Sequence, residues 1–371
     1  MARSYAVAVI GGGIVGTSAA CFLAEAGASV VLYERAELAA GASGRNSGAV
    51  QHPLAALPPA LHRETLNIYR DLATEDDGFR LAPEPAGLLI VSTDEDGARR
   101  AALEMAARGT VAANFVAPAE LRRLEPDLAP GLAACRLETG YPVAPAAATL
   151  AFGRRAVRAG AELVTQQAAR PLFERGRLAG VSVDSGERVA CRQVLLAAGP
   201  WTAALVDSWK ARTPSPVAPL WGLVVSVRLE RPPGHVLEEL GIGDLGRPAP
   251  TLFSLVSAEG NSGVGSVFAA AEPDPATLAP VLLERGSRFV PELARARIED
   301  VRMCARPLAF DGLPLIGRVA DREGLYVCTG HGPWGISTGP ASALLVARLM
   351  LEGSNADLEA MPELDAQRVV A

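Results

Sequence analysis

The chain contains 371 residues, a length that corresponds to about two domains. Hydrophobic residues make up 49% of the chain and charged residues 20%, and this ordinary globular balance excludes a disordered protein. The net charge of −6 argues against a nucleic-acid partner, which favours a basic surface.

The cysteines and histidines show no disulfide or metal-binding pattern. The five cysteines are scattered without a Cys-x-x-Cys pair, which indicates free thiols and a cytoplasmic location. The four histidines lack metal-ligand spacing, so we predict no metal. The uncharged stretch Tyr5–Ala24 has the length of a signal peptide or membrane span, but glycines interrupt its middle. We therefore expect neither a targeting segment nor a transmembrane segment.

The first 35 residues predict a βαβ unit. Ala6–Ile10 is a short apolar run typical of a buried strand, and Ile14–Ala26 has the pattern of a helix. Ser29–Tyr33 is a second apolar strand. A parallel sheet covered by helices is the fold class that such a unit favours.

Helical and strand patterns alternate along the rest of the chain, with a glycine- and serine-rich loop at Gly41–Gly48. Predicted helices lie at Leu61–Leu72, Asp94–Ala107, Pro118–Leu124, Pro145–Gly160 and Gly335–Leu351. Predicted strands lie at Gly87–Ser92, Glu162–Thr165, Leu178–Val183, Gln193–Ala197, Leu223–Val227, Leu252–Val256 and Leu325–Cys328. Between Pro216 and Asp300, short strands separated by turn residues predict an antiparallel sheet. The α/β segments are thus interrupted by antiparallel inserts, which predicts two interleaved domains.

Gly11, Gly13 and Gly16 form a Gly-x-Gly-x-x-Gly motif between the first strand and the first helix. Such glycines permit a tight turn, a close approach of the backbone to a pyrophosphate, and close packing of helix on strand. Glu34 ends the second strand, where a carboxylate binds ribose hydroxyls. The motif predicts a bound dinucleotide, either NAD or FAD; the alternative is a glycine turn in a packed α/β protein.

Four later segments follow this motif in a characteristic order. They are Gly41-Ala-Ser-Gly-Arg-Asn-Ser-Gly48, Leu195-Leu-Ala-Ala-Gly-Pro-Trp201, Cys304-Ala-Arg-Pro-Leu-Ala-Phe-Asp-Gly-Leu-Pro-Leu-Ile-Gly317 and Leu325-Tyr-Val-Cys-Thr-Gly-His-Gly-Pro-Trp-Gly-Ile336. Together with the first motif they resemble the flavoprotein family of D-amino acid oxidase, glycine oxidase and sarcosine oxidase. The resemblance spans nearly the whole chain. It implies FAD, a mixed α/β fold with a Rossmann-like FAD domain built from separated segments, and a mostly antiparallel substrate domain.

The resemblance implies which residues bind the cofactor. The expected set is Gly11, Gly13, Ile14, Val15, Gly16, Glu34, Arg35, Ser43, Gly44, Arg45, Asn46, Ser47, Ala169, Ala198, Gly199, Trp201, Arg306, Gly330, Gly332, Gly335, Ile336 and Ser337. Arg45 suits a phosphate or an acidic flavin edge, or it is a solvated loop arginine. Trp201 lies beside the cofactor or packs in the core.

The resemblance also implies a substrate site. Arg306 corresponds to the arginine that pairs with the substrate carboxylate, for which a fork-shaped guanidinium is suited; the alternative is an arginine bonded to a carbonyl. His331 is a candidate base or a structural residue, and Phe253 takes the place of a tyrosine over the substrate. Cys304 offers a covalent flavin link, although the surrounding residues favour non-covalent FAD.

The implied reaction is the oxidation of the C–N bond of a small amino acid or N-methyl amino acid, with hydride transfer to flavin N5. The resulting imino acid hydrolyses, and oxygen or another acceptor takes the electrons. One alternative is an FAD-dependent 2-hydroxy acid dehydrogenase, which Arg45–Gly48 also resembles. Others are an NAD dehydrogenase and an FAD-binding subunit of a larger amino acid dehydrogenase or oxidase. The protein is therefore expected to be a homo-oligomer or to have a partner subunit.

The expected domain division follows from the interleaving. We assign 1–80, 140–215 and 301–371 to the FAD-binding domain, and 81–139 and 216–300 to the substrate-binding domain.

Overall fold

The computed structural model of the chain describes residues 4–52, 57–210, 215–241 and 251–369. The strands of this part are β1 (Ser4–Ile10), β2 (Val30–Tyr33), β3 (Ala49–Val50), β4 (Leu88–Ser92), β5 (Ala113–Val116), β6 (Ala133–Leu137), β7 (Tyr141–Pro142), β8 (Glu162–Val164), β9 (Ala169–Glu174), β10 (Arg177–Val183), β11 (Arg188–Leu196), β12 (Val217–Val227), β13 (Val236–Glu239), β14 (Thr251–Ala258), β15 (Asn261–Val267), β16 (Ile298–Ala309), β17 (Leu315–Arg318) and β18 (Leu325–Thr329). The α-helices are α1 (Ile14–Glu25), α2 (Ala42–Arg45), α3 (Pro59–Glu75), α4 (Glu95–Arg108), α5 (Pro118–Leu124), α6 (Ala147–Arg158), α7 (Asp207–Lys210), α8 (Pro275–Ser287), α9 (Gly335–Glu352) and α10 (Ala356–Glu359). Segments of 3₁₀-helix lie at Gly199–Leu205, Pro291–Arg295, Gly332–Trp334, Pro362–Leu364 and Ala366–Val369.

The first sheet is Rossmann-like and has the strand order β17-β18-β11-β1-β2-β8, with β10 and β9 added beside β11. Pairing is parallel from β18 through β8. The register aligns Ile10 with both Tyr33 and Leu196, and Leu196 with Val327. Five parallel strands therefore end at one edge, where open α/β sheets bind their ligands.

The second sheet is mostly antiparallel and has the order β16-β12-β15-β14-β13-β4-β6-β5. Its one parallel pair joins β13 to β4. The long strands β12 and β16 pair along their length, from Val217 opposite Ala309 to Val227 opposite Ile298. A small third sheet pairs β3 with β7.

Each large sheet has its own buried core. Helices α1, α6, α9 and α3 pack together beside the first sheet, with Leu23, Tyr69 and Phe152 fully buried. Helix α8 covers the second sheet, where Phe253 and Leu282 are fully buried. On the opposite face, α4 packs against β4, β5 and β6, while β16 at the other end of the sheet contacts α2 of the first domain.

The expected mixed α/β fold, with its Rossmann-like sheet and antiparallel second sheet, is confirmed. Three local predictions are wrong or incomplete. The loop Gly41–Gly48 contains the short helix α2, because small residues there permit one helical turn. Strands β5, β6, β9, β16 and β17 and helix α8 were among the elements missed, since their sequences lack a clear period. The domain division remains a proposal, but residues 301–309 belong to a strand of the second sheet, so we move that boundary to 310.

Candidate active site at the carboxyl edge of the first sheet

A cavity of about 660 Å³ lies at the edge where the parallel strands of the first sheet end, and it reaches the second sheet. Residues that follow β1, β2, β11 and β18 line it, together with α2, part of β9 and the later half of β16. Of the predicted site residues, those at its wall are Gly11, Gly13, Ile14, Val15, Glu34, Arg35, Ser43, Arg45, Asn46, Ala169, Ala198, Gly199, Trp201, Arg306, His331, Gly332, Gly335 and Ile336.

The turn between β1 and α1 is built from glycines that carry no side chain at crowded points. Gly11 has φ +118°, and a Cβ there would overlap the carbonyl of Ala197. A Cβ at Gly16 would overlap the carbonyl of Gly11. Gly13 precedes α1, and both Gly13 and the first residues of α1 line the cavity. The N-terminus of α1 therefore faces the cavity with the positive end of its dipole.

Glu34 sits at the end of β2 and binds two backbone amides. Its Oε2 accepts from the Gly12 amide at 2.6 Å and its Oε1 from the Ala36 amide at 2.9 Å. Each carboxylate oxygen keeps a further lone pair for a hydroxyl donor in the cavity.

The Arg35 guanidinium lies over the Trp201 ring, 3.8 Å from its centroid. Trp201 is 42% exposed and lines the cavity, so the alternative that it packs in the core is wrong. This cation–π pair forms a wall at the Glu34 side of the cavity.

Helix α2 brings the next polar groups to the wall. Ser43 Oγ accepts from the Ile14 amide at 2.9 Å, so α2 and the start of α1 are joined. Arg45 Nη1 donates to the Met303 carbonyl at 3.3 Å, across to β16. Asn46 holds the segment in shape, because its amide donates to the Ser43 carbonyl at 2.7 Å while its Oδ1 accepts from the Gly48 amide at 2.8 Å.

The turn before α9 closes the opposite wall. His331 is buried, and its Nε2 has no hydrogen-bond partner among the described residues. Burial lowers the pKa of His331 to about 4, so its imidazole is neutral at pH 7. Gly335 and Ile336 begin α9 at the cavity, which aims a second helix N-terminus into it.

Arg306 enters the cavity from β16. Its Nη1 donates to the Val267 carbonyl at 2.8 Å and to the Trp221 carbonyl at 3.5 Å. The guanidinium also faces the Phe268 ring, 4.9 Å from its centroid. It makes no ion pair with a described residue, and burial lowers its pKa. The guanidinium remains charged because an arginine loses its proton only at very high pH, so the site has a cation without a counter-ion.

The wall of the cavity is positively charged. Among the described residues it carries four arginines, which are Arg35, Arg45, Arg170 and Arg306, against two acids, Glu34 and Glu272. With two helix N-termini added, the field favours an anionic ligand.

Six predicted site residues do not reach the cavity wall, and each has a structural place instead. Gly16 packs on Gly11, and Gly44 packs on the Ala39 carbonyl. The Ser47 carbonyl faces Gly263 of the second sheet. Gly330, at φ +87°, only shapes the turn that carries His331.

The other two corrections concern side chains that point away. Ser337 Oγ accepts from the Gln51 amide at 3.0 Å, behind the start of α9. Phe253 is fully buried and stacks on Phe289, with ring centroids 4.9 Å apart, in the core beneath α8. Strand alternation places Phe253 on the α8 face, so it cannot lie over a substrate.

Gly222 is a position at the candidate site that the sequence did not reveal. It lies on β12 directly under the guanidinium of Arg306, where a Cβ would overlap it. Met303, Pro307 and Thr329 were also missed at the wall. The pairing of β12 with β16, which sequence patterns do not give, is what brings Gly222, Met303 and Pro307 to the site. Thr329 comes from the end of β18.

Cys304 lines the cavity as a buried thiol two residues before Arg306. Burial raises the pKa of the Cys304 thiol, although nearby arginines oppose the shift. All five cysteines are free. No group of three or more potential metal ligands occurs among the described residues. In the same part of the chain, every helix is too short or too polar to span a bilayer.

Comparisons with known proteins agree with this geometry. The profile of the family described as FAD dependent oxidoreductase matches residues 6–349. The chain is 26% identical to the glycine oxidase of Geobacillus kaustophilus over 402 aligned positions, covering 94% of each chain. It is 28% identical to hydrogen cyanide synthase subunit HcnC of Pseudomonas aeruginosa over 304 positions, covering 80% of this chain and 69% of HcnC.

A solved structure supports the same assignment. The crystal structure of glycine oxidase from Bacillus cereus superposes with a TM-score of 0.82 at 26% identity, covering 96% of this chain and 97% of the other. The predicted resemblance and the predicted FAD cofactor are thereby confirmed, and the NAD alternative is wrong. The chain belongs to the family of FAD-dependent oxidoreductases.

Proposed function

We propose that the protein oxidises the C–N bond of an amino acid or N-methyl amino acid. The observation that carries the proposal is Arg306, a half-buried arginine that opens into the cavity without an acidic partner among the described residues. Two backbone carbonyls hold the guanidinium in place, and an anionic group in the cavity would supply the counter-charge that the described residues do not provide. A carboxylate matches a guanidinium in both charge and plane.

The cavity fits FAD as the cofactor of this reaction. The Gly11–Gly13 turn and the N-terminus of α1 would hold the pyrophosphate, and Glu34 would bind ribose hydroxyls. Ala169, beside Arg170, would line the adenine end. The N-terminus of α9 would face the pyrimidine edge of the flavin.

The residues of the chain then divide the work. Bound FAD supplies a two-electron acceptor for a hydride leaving the substrate carbon. Arg306 would hold the carboxylate and so fix which hydrogen faces the acceptor. The dipole of α9 stabilises negative charge that develops near its N-terminus, without a side-chain acid.

His331 is not proposed as the catalytic base. Its lowered pKa leaves the imidazole neutral at pH 7, and its Nε2 has no hydrogen-bond partner among the described residues. A base becomes positively charged when it takes up a proton, and burial of the ring opposes that charge. We propose that it shapes the turn before α9. The substrate amine would instead lose its proton to solvent before the substrate binds.

The relatives support this reaction class. Glycine oxidases of Geobacillus kaustophilus and Bacillus cereus match over almost the full chain. The similarity to HcnC, a subunit of hydrogen cyanide synthase, favours a second candidate in which the chain works beside a partner subunit. Free, buried cysteines support a cytoplasmic location.

Product analysis tests the proposal. Purified holoprotein would be incubated with D-, L- and N-methyl amino acids, and with 2-hydroxy acids, in the presence of oxygen or an artificial acceptor. We expect release of ammonia or amine together with a keto acid or aldehyde. Turnover of hydroxy acids alone would contradict the proposal. Turnover only after addition of a co-purifying chain would favour the partner-subunit candidate.

A further inference from the structure

Glu238 on β13 and Gln51 after β3 form a buried polar pair outside the cofactor cavity. Gln51 Nε2 donates to Glu238 Oε1 at 2.8 Å, and the two residues are 9% and 4% exposed. Glu238 Oε2 and Gln51 Oε1 have no hydrogen-bond donor among the described residues. Two adjoining buried acceptors without donors are unfavourable, so the pair calls for a donor group.

The neighbouring acid, Glu239, has no such oxygen without a donor. Glu239 points to the other face of β13, where Arg285 donates to both of its oxygens at 2.6 and 2.7 Å. The Phe253 amide adds a third donor at 2.9 Å. The strand therefore carries a fully satisfied carboxylate on the α8 face and an unsatisfied one on the face toward the first domain.

Small residues separate Glu238 from Arg306 on that same face. Glu238 pairs with Ser254, and Ser254 pairs with Gly265. The atoms nearest to a Cβ position at Gly265 belong to the second sheet itself, not to the first domain. The residues between the two charged groups are thus a serine and a glycine, both buried and both too small to separate the groups with a large side chain.

The separation of the two charged groups sets the size of a ligand that touches both. With strands about 4.8 Å apart and residues about 3.4 Å apart along a strand, the backbone of Glu238 lies about 12 Å from the backbone of Val267, whose carbonyl holds Arg306. In an amino acid the α-ammonium lies within about 4 Å of the carboxylate. With a hydrogen bond at each end, these two groups together bridge about 9 Å. A group farther along the substrate is needed to reach Glu238.

We propose that Glu238 and Gln51 form a subsite for an ammonium group at the end of the substrate side chain, so that amino acids with a basic side chain are the preferred substrates. The inference rests on the proposed function, in which Arg306 holds the carboxylate. An ammonium has three donors and satisfies both open oxygens at once. Burial raises the pKa of Glu238 to about 7, and a bound ammonium favours its charged form.

Turnover of matched substrates tests the subsite. Ornithine and norvaline have the same carbon chain, but only ornithine carries the terminal ammonium. We expect a higher kcat/KM for ornithine, and we expect Glu238→Gln to lower it about 100-fold while changing norvaline turnover less than about threefold. Glu104→Gln, which removes an exposed carboxylate on α4, is the control and should change neither value.

A binding measurement separates this inference from the proposed reaction. Calorimetry on the holoprotein would compare 5-aminopentanoate with pentanoate, which differ only in the terminal amine and need no turnover. We expect 5-aminopentanoate to bind at least about tenfold more tightly, and we expect Glu238→Gln to remove the difference. That result without oxidation of any amino acid would retain the subsite and reject the proposed function.

Three results would overturn the subsite. One is equal preference of the unmodified protein for ornithine and norvaline, with equal binding of the two acids. Another is an equal loss of both substrates in Glu238→Gln, which would indicate a structural role. If that variant does not fold, Gln51→Leu replaces it, and an unchanged preference for ornithine in Gln51→Leu would reject the subsite.

Discussion

Gly222 lies directly beneath the guanidinium of Arg306, and a Cβ at position 222 would overlap the guanidinium carbon and both terminal nitrogens. The pair stands on adjacent strands, β12 and β16. Because the arginine lies flat over a residue without a side chain, it reaches the Val267 carbonyl on the next strand at 2.8 Å. The orientation of the proposed carboxylate-binding group thus depends on a glycine.

Gly222→Ala should displace the guanidinium without removing it. We expect KM for the substrate to rise about tenfold or more, because a bidentate contact tolerates little misalignment. FAD content and thermal stability should change little, since the strand keeps its pairing. Steady-state kinetics and the flavin absorption of the variant check this. An unchanged KM would show that the orientation of Arg306 is not set by position 222.

Arg306→Ala should remove the carboxylate contact. We expect kcat/KM to fall by about a hundred- to a thousandfold, which corresponds to the loss of two charge-assisted hydrogen bonds. The variant should still bind FAD. Arg295→Ala, an exposed arginine outside the cavity, is the matched control. Normal kinetics in Arg306→Ala would exclude Arg306 from the substrate site.

Gly11→Ala should abolish cofactor binding. The backbone at Gly11 has φ +118°, and the added methyl would overlap the Ala197 carbonyl, so the β1–α1 turn must shift. We expect the purified variant to be colourless and its unfolding midpoint to lie below that of the apoprotein. The ratio of absorbance at flavin and protein wavelengths reports the FAD content. Full occupancy would contradict the assigned pyrophosphate site.

Cys304→Ser tests the mode of FAD attachment. A thiol whose pKa burial raises is a poor nucleophile, so we expect non-covalent FAD. Acid precipitation should release all yellow colour into the supernatant from both the unmodified protein and the variant. Colour retained in the protein pellet, and lost in Cys304→Ser, would demonstrate a covalent link.

His331 should make the stability depend on pH in a defined window. Its folded pKa of about 4 lies below the ordinary value of 6.5, so between these values only the unfolded chain binds the proton. The free energy of unfolding therefore decreases as pH falls from 6.5 to 4, by about 1.4 kcal/mol per pH unit for this group.

The variant His331→Gln should lack this part of the slope. Denaturant titrations of both proteins at several pH values measure the difference between them, which cancels the contribution of His62, whose pKa is also lowered to about 4. Parallel stability curves would show that His331 titrates normally.

Local sequence features predicted which residues gather at the carboxyl edge of the first sheet. Gly11, Glu34 and Gly335 each follow or precede an element whose apolar pattern is clear, and parallel strands bring their ends to one edge. The substrate half was predicted poorly. Phe253 was misplaced because the face of a strand depends on register, and Gly222 was missed because β16 showed no clear period.

Long-range pairs lie beyond such reasoning altogether. Gln51 and Glu238 are separated by 187 residues, and neither belongs to a motif. Their meeting depends on how the second sheet faces the first domain. A sequence pattern records the period of one element, but it does not record which faces of two domains come together.

An anaerobic titration of the holoprotein tests the central claim most directly. D-, L- and N-methyl amino acids and 2-hydroxy acids would be added in turn while the absorption of the oxidised flavin is followed. The account predicts that amino acids bleach the flavin, that one handedness predominates, and that hydroxy acids leave the spectrum unchanged. Bleaching by hydroxy acids alone, or by none of these compounds, would contradict it.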